Sequence, residues 1–229
     1  MKIKSLGPQD SIGAVLAQTY NLPGKIISKG TFVTNEIVAY FKTCNVKTIL
    51  CAVPEEGDIH EDEAAESISS AIDKNHIYAD KASTGRVNFK SQSLCLVRYD
   101  RDFIKEVNLV DESIAFSIVE HNQLLAEGDL IATLKIIPFF MKKKYVDRVI
   151  KILGKDELFK IHSLKKKEVT LIQTCFEWQK KSIFTATSNV TKARLEALGC
   201  SLNKEKLINH DYDTLRTVIR SSVKNGPGI

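Results

Sequence analysis

The chain has 229 residues, 43% hydrophobic and 27% charged, with eleven glycines, five prolines and a net charge of +5. This composition excludes collagen-like, low-complexity and wholly disordered chains, and the length suits one large domain or two small ones. The most apolar run, Leu130 to Met141, is broken by Lys135 and Pro138, well short of the ~18 uninterrupted apolar residues of a membrane span.

The first patterned segment is Asp10 to Ala17. Asp10 is placed to cap a short helix, with Ile12, Val15 and Leu16 as its apolar stripe. Leu22 to Gly30 reads as turn, short strand and turn. Thr34 caps a helix reaching about Cys44, with Ile37, Val38 and Phe41 on one face. Lys47 to Val53 is a buried strand by its β-branched content. Residues 55–66 then carry seven acids and no Lys or Arg. Asp58 with Glu61 has capping-box spacing, and Glu61, Asp62 and Glu63 suit a first helical turn, where the macrodipole favours negative charge. A metal site at His60 to Glu63 is the competing reading, but neighbours at i and i+1 do not face one point on a helix.

Residues 76–99 read as strand with a turn at Thr84-Gly85, and Asp100 caps a short helix to Asn108. Two strands follow, Ser113 to Val119 and Asp129 to Ile137, the second closed by Pro138. Lys142 to Leu153 is a basic amphipathic helix with Val146, Val149 and Ile150 inward and Gly154 as C-cap. The patterning lapses over residues 155–167 and restarts as a buried strand, Val169 to Thr174. A polar loop from Cys175 to Thr187 leads to a helix capped by Ser188 or Asn189 and stopped at Gly199. Ser201 to Ile208 suits a further strand, and Asp211 caps a helix to about Lys224. The expected fold class is therefore α/β to α+β. A mixed α+β domain over 1–160 precedes the start of a Rossmann-like βα unit over 168–229.

The charge is uneven. Residues 1–140 hold 14 basic and 19 acidic side chains, and residues 141–229 hold 19 and 9. A basic C-terminal part can attract anions. No nucleic-acid partner is expected, because neither the aromatic interleaving of an RNA-binding sheet nor a helix-turn-helix or zinc-finger spacing is present. No membrane partner is expected either. The N-terminal MKIKSLGPQD has early lysines but no apolar segment behind them, which suits a cytoplasmic protein. Five cysteines without a Cys-x-x-Cys spacing do not suggest a disulfide framework, and Cys51 and Cys95 read as small buried hydrophobes. No catalytic residues, Walker loop or dinucleotide fingerprint can be named.

Several segments resemble a family when taken in order. They are Gly13-Ala-Val-Leu-Ala17, Lys29-Gly30, Asp58 followed by Glu61-Asp-Glu-Ala-Ala65, Thr84-Gly-Arg-Val-Asn88 and Thr133-Leu-Lys-Ile-Ile-Pro-Phe139. Leu171-Ile-Gln-Thr174, Lys181-Ser182, Val190-Thr-x-x-Arg-Leu195, Gly199 and His210-Asp211 follow. The chain resembles bacterial molybdopterin-binding proteins related to molybdenum cofactor biosynthesis. The resemblance implies molybdopterin as cofactor, a small phosphorylated pterin as partner, and a role related to molybdate insertion. The family's later Gly/Ser loop and Asp-rich segment have no counterpart before Ile229. The resemblance thus implies a truncated binding domain that holds molybdopterin weakly or not at all. A homo-oligomer, or a non-catalytic interaction or dimerisation module with a vestigial C-terminal unit, is the alternative.

A phosphorylated ligand needs anion donors. Thr174, Ser182, Asn189 and Thr191 fall on the loop and helix start after the first C-terminal strand, where helix N–H groups receive phosphate. The competing reading is that Ser188 or Asn189 only caps a helix and Ser182 only decorates a loop. Gly85, Arg86 and Asn88 form a second candidate, since a glycine turn presents the arginine fork to phosphate or carboxylate. The competing reading pairs Arg86 with Glu61, Asp62 or Glu63. Lys135 interrupts an apolar strand and reads as a lysine reaching out at the strand rim.

Overall fold

The structure, a computed structural model, describes residues 1–155 and 158–224. It is mixed α/β, and the described residues hold six α-helices and sixteen strands in several small sheets. Two compact units divide the chain, Met1–His162 and Ser163–Ile229.

The first unit opens with β1 (Lys2–Leu6), a 3-10 turn at Gln9–Ser11 and β2 (Val15–Leu16). Next come the hairpin strands β3 (Tyr20–Leu22) and β4 (Lys25–Ile27), helix α1 (Asn35–Thr43) and β5 (Ile49–Val53). β6 (Asp58–His60), α2 (Glu61–Ser70), β7 (Ile77–Ala79), β8 (Arg86–Ser91) and β9 (Cys95–Arg98) follow. The unit closes with α3 (Arg101–Asn108), β10 (Ile114–Ile118), β11 (Leu124–Leu125), β12 (Leu130–Ile136), β13 (Phe140–Lys142), α4 (Lys143–Leu153) and β14 (Lys160–Ser163). The strands form sheets ordered β1-β5-β2, β10-β12-β8-β7 and β11-β9-β14, and the two-stranded pairs β13-β6 and β3-β4.

Sequence pattern explains most of these elements. The Thr34 hydroxyl accepts the Ile37 N–H and starts α1, which buries Val38 and Phe41. Asp100 caps α3 by accepting the Asp102 N–H at 2.8 Å. Alternation in β8 turns Val87 and Phe89 inward. A register shift between Leu130 and Ala132 lets β12 bury both Ile131 and Ala132 before alternation resumes. The small residues Ala64 and Ala65 of α2 join Ile68, Val87, Phe89, Leu134 and Ile136 in the larger core. A second core gathers Leu16, Val33, Phe41 and Ile49. Cys51 and Cys95 are fully buried, and that burial pushes both thiols up from their usual range.

Four local expectations need correction. The helix expected over Asp10 to Ala17 is one 3-10 turn, because Gly13 enters the left-handed region at φ 81° and Val15–Leu16 pairs with β5. Asp58 does not cap α2. It lies in β6 with its side chain fully buried, and His60 caps the helix through Nδ1, which accepts the Asp62 N–H at 3.3 Å. In α4 the inward face is Val146, Val149, Ile152 and Leu153, with Ile150 half-buried. The helix expected to begin at Ser188 or Asn189 begins two turns earlier, at Lys181. The Thr- and Ser-rich segment stays helical because its hydroxyls bond back one turn, Thr187 to the Ile183 carbonyl at 3.0 Å.

The second unit is β15 (Glu168–Cys175), α5 (Lys181–Ala197), β16 (Ser201–Asn209) and α6 (Tyr212–Lys224). β15 and β16 pair in parallel. Gln173 and Glu205 both bond Ser188 of α5, whereas the neighbouring Lys206 bonds Ser222 of α6. Successive strand side chains point to opposite faces, so α5 and α6 cover opposite faces of this small sheet. Gly199 takes φ 71° after α5, as its C′ position requires. Lys165, Lys166 and Lys167 are exposed coil between β14 and β15. Limited trypsin digestion is expected to cut first after Lys165 or Lys166. First cleavage elsewhere, with this run intact, would contradict the placement of an accessible connection here.

Candidate functional site

The carboxyl ends of β15 and β16 bring together groups from both strands and both following loops. The Thr174 hydroxyl and His210 Nδ1 are 2.8 Å apart, and the His210 N–H donates to the Cys175 carbonyl at 3.0 Å. The His210 ring lies 4.4 Å from Phe176, centroid to centroid. Phe176 stacks on Trp178 at 5.7 Å with an interplanar angle of 7°. The loop is tied down by Gln179, whose Oε1 accepts the Phe176 N–H at 2.9 Å. Trp178 is nonetheless 79% exposed, so this loop presents a large aromatic face to solvent. Trp is enriched at interfaces, where its ring offers an apolar face and its N–H a donor.

Charge follows the rings. α5 begins at Lys181, directly after the aromatic loop, and no side chain caps it. Its free N–H groups and the exposed Lys180 and Lys181 offer anion donors at this corner, beside the exposed acids Glu177 and Asp211. α6 also starts here, but Asp211 caps it by accepting the Thr214 N–H, a bond that holds the Asp211 carboxyl below its usual range. The unit as a whole carries twelve Lys and Arg against six Asp and Glu. A planar ring on Trp178 with an anionic tail toward the α5 start is the ligand shape that such a corner can hold.

Of the first group of expected residues, Thr174 lies at this corner and Ser182 in the exposed first turn of α5. Asn189 and Thr191 do not. Both fall in the middle of α5, because the helix starts at Lys181 and not near Ser188. Phe176, Trp178 and His210 carry the corner's shape, and sequence reasoning passed over the two aromatics. Their signal was there: Cys175-Phe-Glu-Trp178 directly follows a buried parallel strand, where ligand contacts concentrate.

The second group lies in the first unit. Thr84 and Gly85 both take positive φ, 49° and 68°, at the turn before β8. A Cβ at Gly85 would stand 2.5 Å from Glu61 Oε2 and 2.7 Å from the Ile136 carbonyl. Asn88 is spent on structure, since Oδ1 accepts the Thr133 hydroxyl at 3.0 Å and Nδ2 donates to Asp80 at 3.4 Å. Lys135 does reach the rim, but it is held there. Its Nζ pairs with Glu61 at 3.3 Å and donates to the Thr84 carbonyl. The expected pairing of Arg86 with Glu61, Asp62 or Glu63 does not form; Glu61 takes Lys135, and Asp62 Oδ1 accepts the Gly85 N–H at 2.6 Å.

Among the described residues no group of three or more His, Cys, Asp or Glu is arranged to hold a metal ion, and no helix is long and apolar enough to cross a membrane. No protein-family model, no curated protein and no solved structure matches the chain.

Proposed function

We propose that this chain binds a small phosphorylated pterin of the molybdopterin type, in molybdenum cofactor biosynthesis, through the carboxyl-end corner of its second unit. The observation that carries the reading is the exposed Trp178 stacked on Phe176, beside the uncapped start of α5. A pteridine ring is planar and stacks on indole, and its phosphate suits helix N–H groups flanked by Lys180 and Lys181. Thr174 and His210 add a hydroxyl and an imidazole at the ring's edge. The parallel strands with helices on opposite faces suit the Rossmann-like start of a molybdopterin-binding domain. Involvement in molybdate insertion is part of the same proposal, and no residue here is assigned a catalytic step.

The test uses the expressed chain. Mass spectrometry of the copurifying small molecules is expected to find pterin, and added molybdopterin is expected to quench Trp178 fluorescence saturably. Trp178→Ala should weaken binding, read by calorimetry, by about 5–150-fold, the worth of one stacked ring at ~1–3 kcal/mol. Unchanged affinity in that variant would remove the proposal's basis.

One observation favours the second reading, a non-catalytic interaction or dimerisation module. No described residue of the second unit is buried, and Ile183, Val190, Leu198, Ile219 and Val223 are all about half exposed or more. Two strands and two helices bury little by themselves. Sedimentation of the chain as a concentration-dependent dimer, without pterin binding, is the result that would select it.

A further inference from the structure

In the antiparallel pair β8–β12, Arg86 and Lys135 are direct partners, so two cationic side chains leave the same face of the sheet side by side. A like-charged cross-strand pair is unfavourable unless both members are neutralised. α2 carries four acids, and the three that reach this turn are already engaged, while Glu63 is exposed and makes no ion pair with Arg86. Glu61 pairs with Lys135 at 3.3 Å, Asp62 accepts the Gly85 N–H at 2.6 Å, and Glu66 accepts the Ala82 N–H at 3.3 Å. Among the described residues no acid stands within ion-pair distance of Arg86, and its side chain is exposed.

The base of that arginine is rigid. Arg86 exchanges both backbone hydrogen bonds with Ser83, each at 3.0 Å, across the left-handed Thr84 and Gly85. Backbone held in this region outside glycine is a cost that persists where the surroundings fix it. Here Asp62, Glu61 and Lys135 all bond or pack against the two turn residues. The result is an uncompensated guanidinium on a fixed turn, with a lysine at its side that Glu61 keeps oriented.

We propose that Arg86, with Lys135 beside it, is an oxyanion site of the first unit. It takes the carboxylate or phosphate end of a small ligand bidentately on the guanidinium fork. The acids around it neutralise Lys135 and fix the turn without filling the fork. This site lies in the first unit and draws on no residue of the pterin corner, which belongs to the second.

The probes are sodium phosphate and sodium acetate, titrated into the whole chain at constant ionic strength, with the arginine Nε–Hε resonances observed by NMR. One such resonance, absent from the spectrum of Arg86→Gln, is expected to shift saturably. Saturation with phosphate but not acetate assigns a phosphate end, and the reverse assigns a carboxylate. Arg86→Lys keeps the charge and loses the fork, so half-saturation, read in parent and variant alike from the backbone amide shifts of Thr84 and Gly85, should rise about tenfold, one charge-assisted hydrogen bond. Trp178→Ala should titrate as the parent does. Shifts that stay linear with both anions, or that persist in Arg86→Gln, would overturn the site. So would an Arg86→Lys variant with unchanged half-saturation.

Discussion

Replacing Asp58 by alanine is expected to destabilise the first unit by about 3–5 kcal/mol, the cost of removing one partner from a buried ion pair. The Asp58 side chain has no exposure. It meets the Met1 ammonium at 2.8 Å and Lys142 Nζ at 2.8 Å, and it accepts the Glu55 N–H at 2.8 Å. These contacts tie β1, β6 and the start of α4 to one carboxylate. Amide hydrogen exchange in β5 and β6 reads the loss, and protection within about 1 kcal/mol of the parent would show that the cluster contributes little. The same group gives the unit an acid limit. Burial by itself would raise the Asp58 pKa, but the bonds from Lys142, the chain's ammonium and the Glu55 N–H outweigh it and hold the carboxyl at about 2. A folded value below the usual one means that the stabilisation is complete above the unfolded pKa. It is lost as pH falls from about 4 toward 2 and amounts to ~2 kcal/mol. Protonation leaves the carboxyl in place and so costs less than its removal.

Gly85→Ala is the second change expected to be severe, at about 2–4 kcal/mol. Two effects combine. The residue sits at φ 68°, where a Cβ is strained, and the added atom would stand 2.7 Å from the Ile136 carbonyl and 2.5 Å from Glu61 Oε2. The Glu61 side chain could swing away only by releasing Lys135. The Ile136 carbonyl is fixed by β12, whose own N–H at Ile136 donates to the Gly85 carbonyl at 2.7 Å. Amide exchange in β8 and β12 measures the effect. If protection there were unchanged, the turn would be shown to relax freely, and the rigidity argued for Arg86 would fall with it.

Sequence by itself determined the elements that rest on local chemistry. Thr34 and Asp100 are caps because their oxygens reach N–H groups two or three residues on. Strands β5, β8, β10, β12 and β15 follow from period-two or continuous apolar runs, which few other structures bury. The Gly199 stop and the Asp211 cap are equally local. Where competing local options existed, the tertiary structure decided. Asp58 had capping-box spacing for α2. Pairing of β6 with β13 placed Asp58 beside Lys142 and left the cap to His60. Ser188 had the chemistry of a cap, but Gln173 and Glu205 across the parallel pair took its hydroxyl into the helix interior. Arg86 and Glu61 were natural partners on charge alone. The β8–β12 register instead set Lys135 within reach of Glu61 and left the arginine uncompensated. The aromatic corner is the same lesson. Phe176 and His210 lie far apart in the chain and meet only because two parallel strands end side by side. A cap or a strand is a property of a few adjacent residues, whereas an ion pair or a ring stack depends on which distant segments share an edge, and only packing sets that.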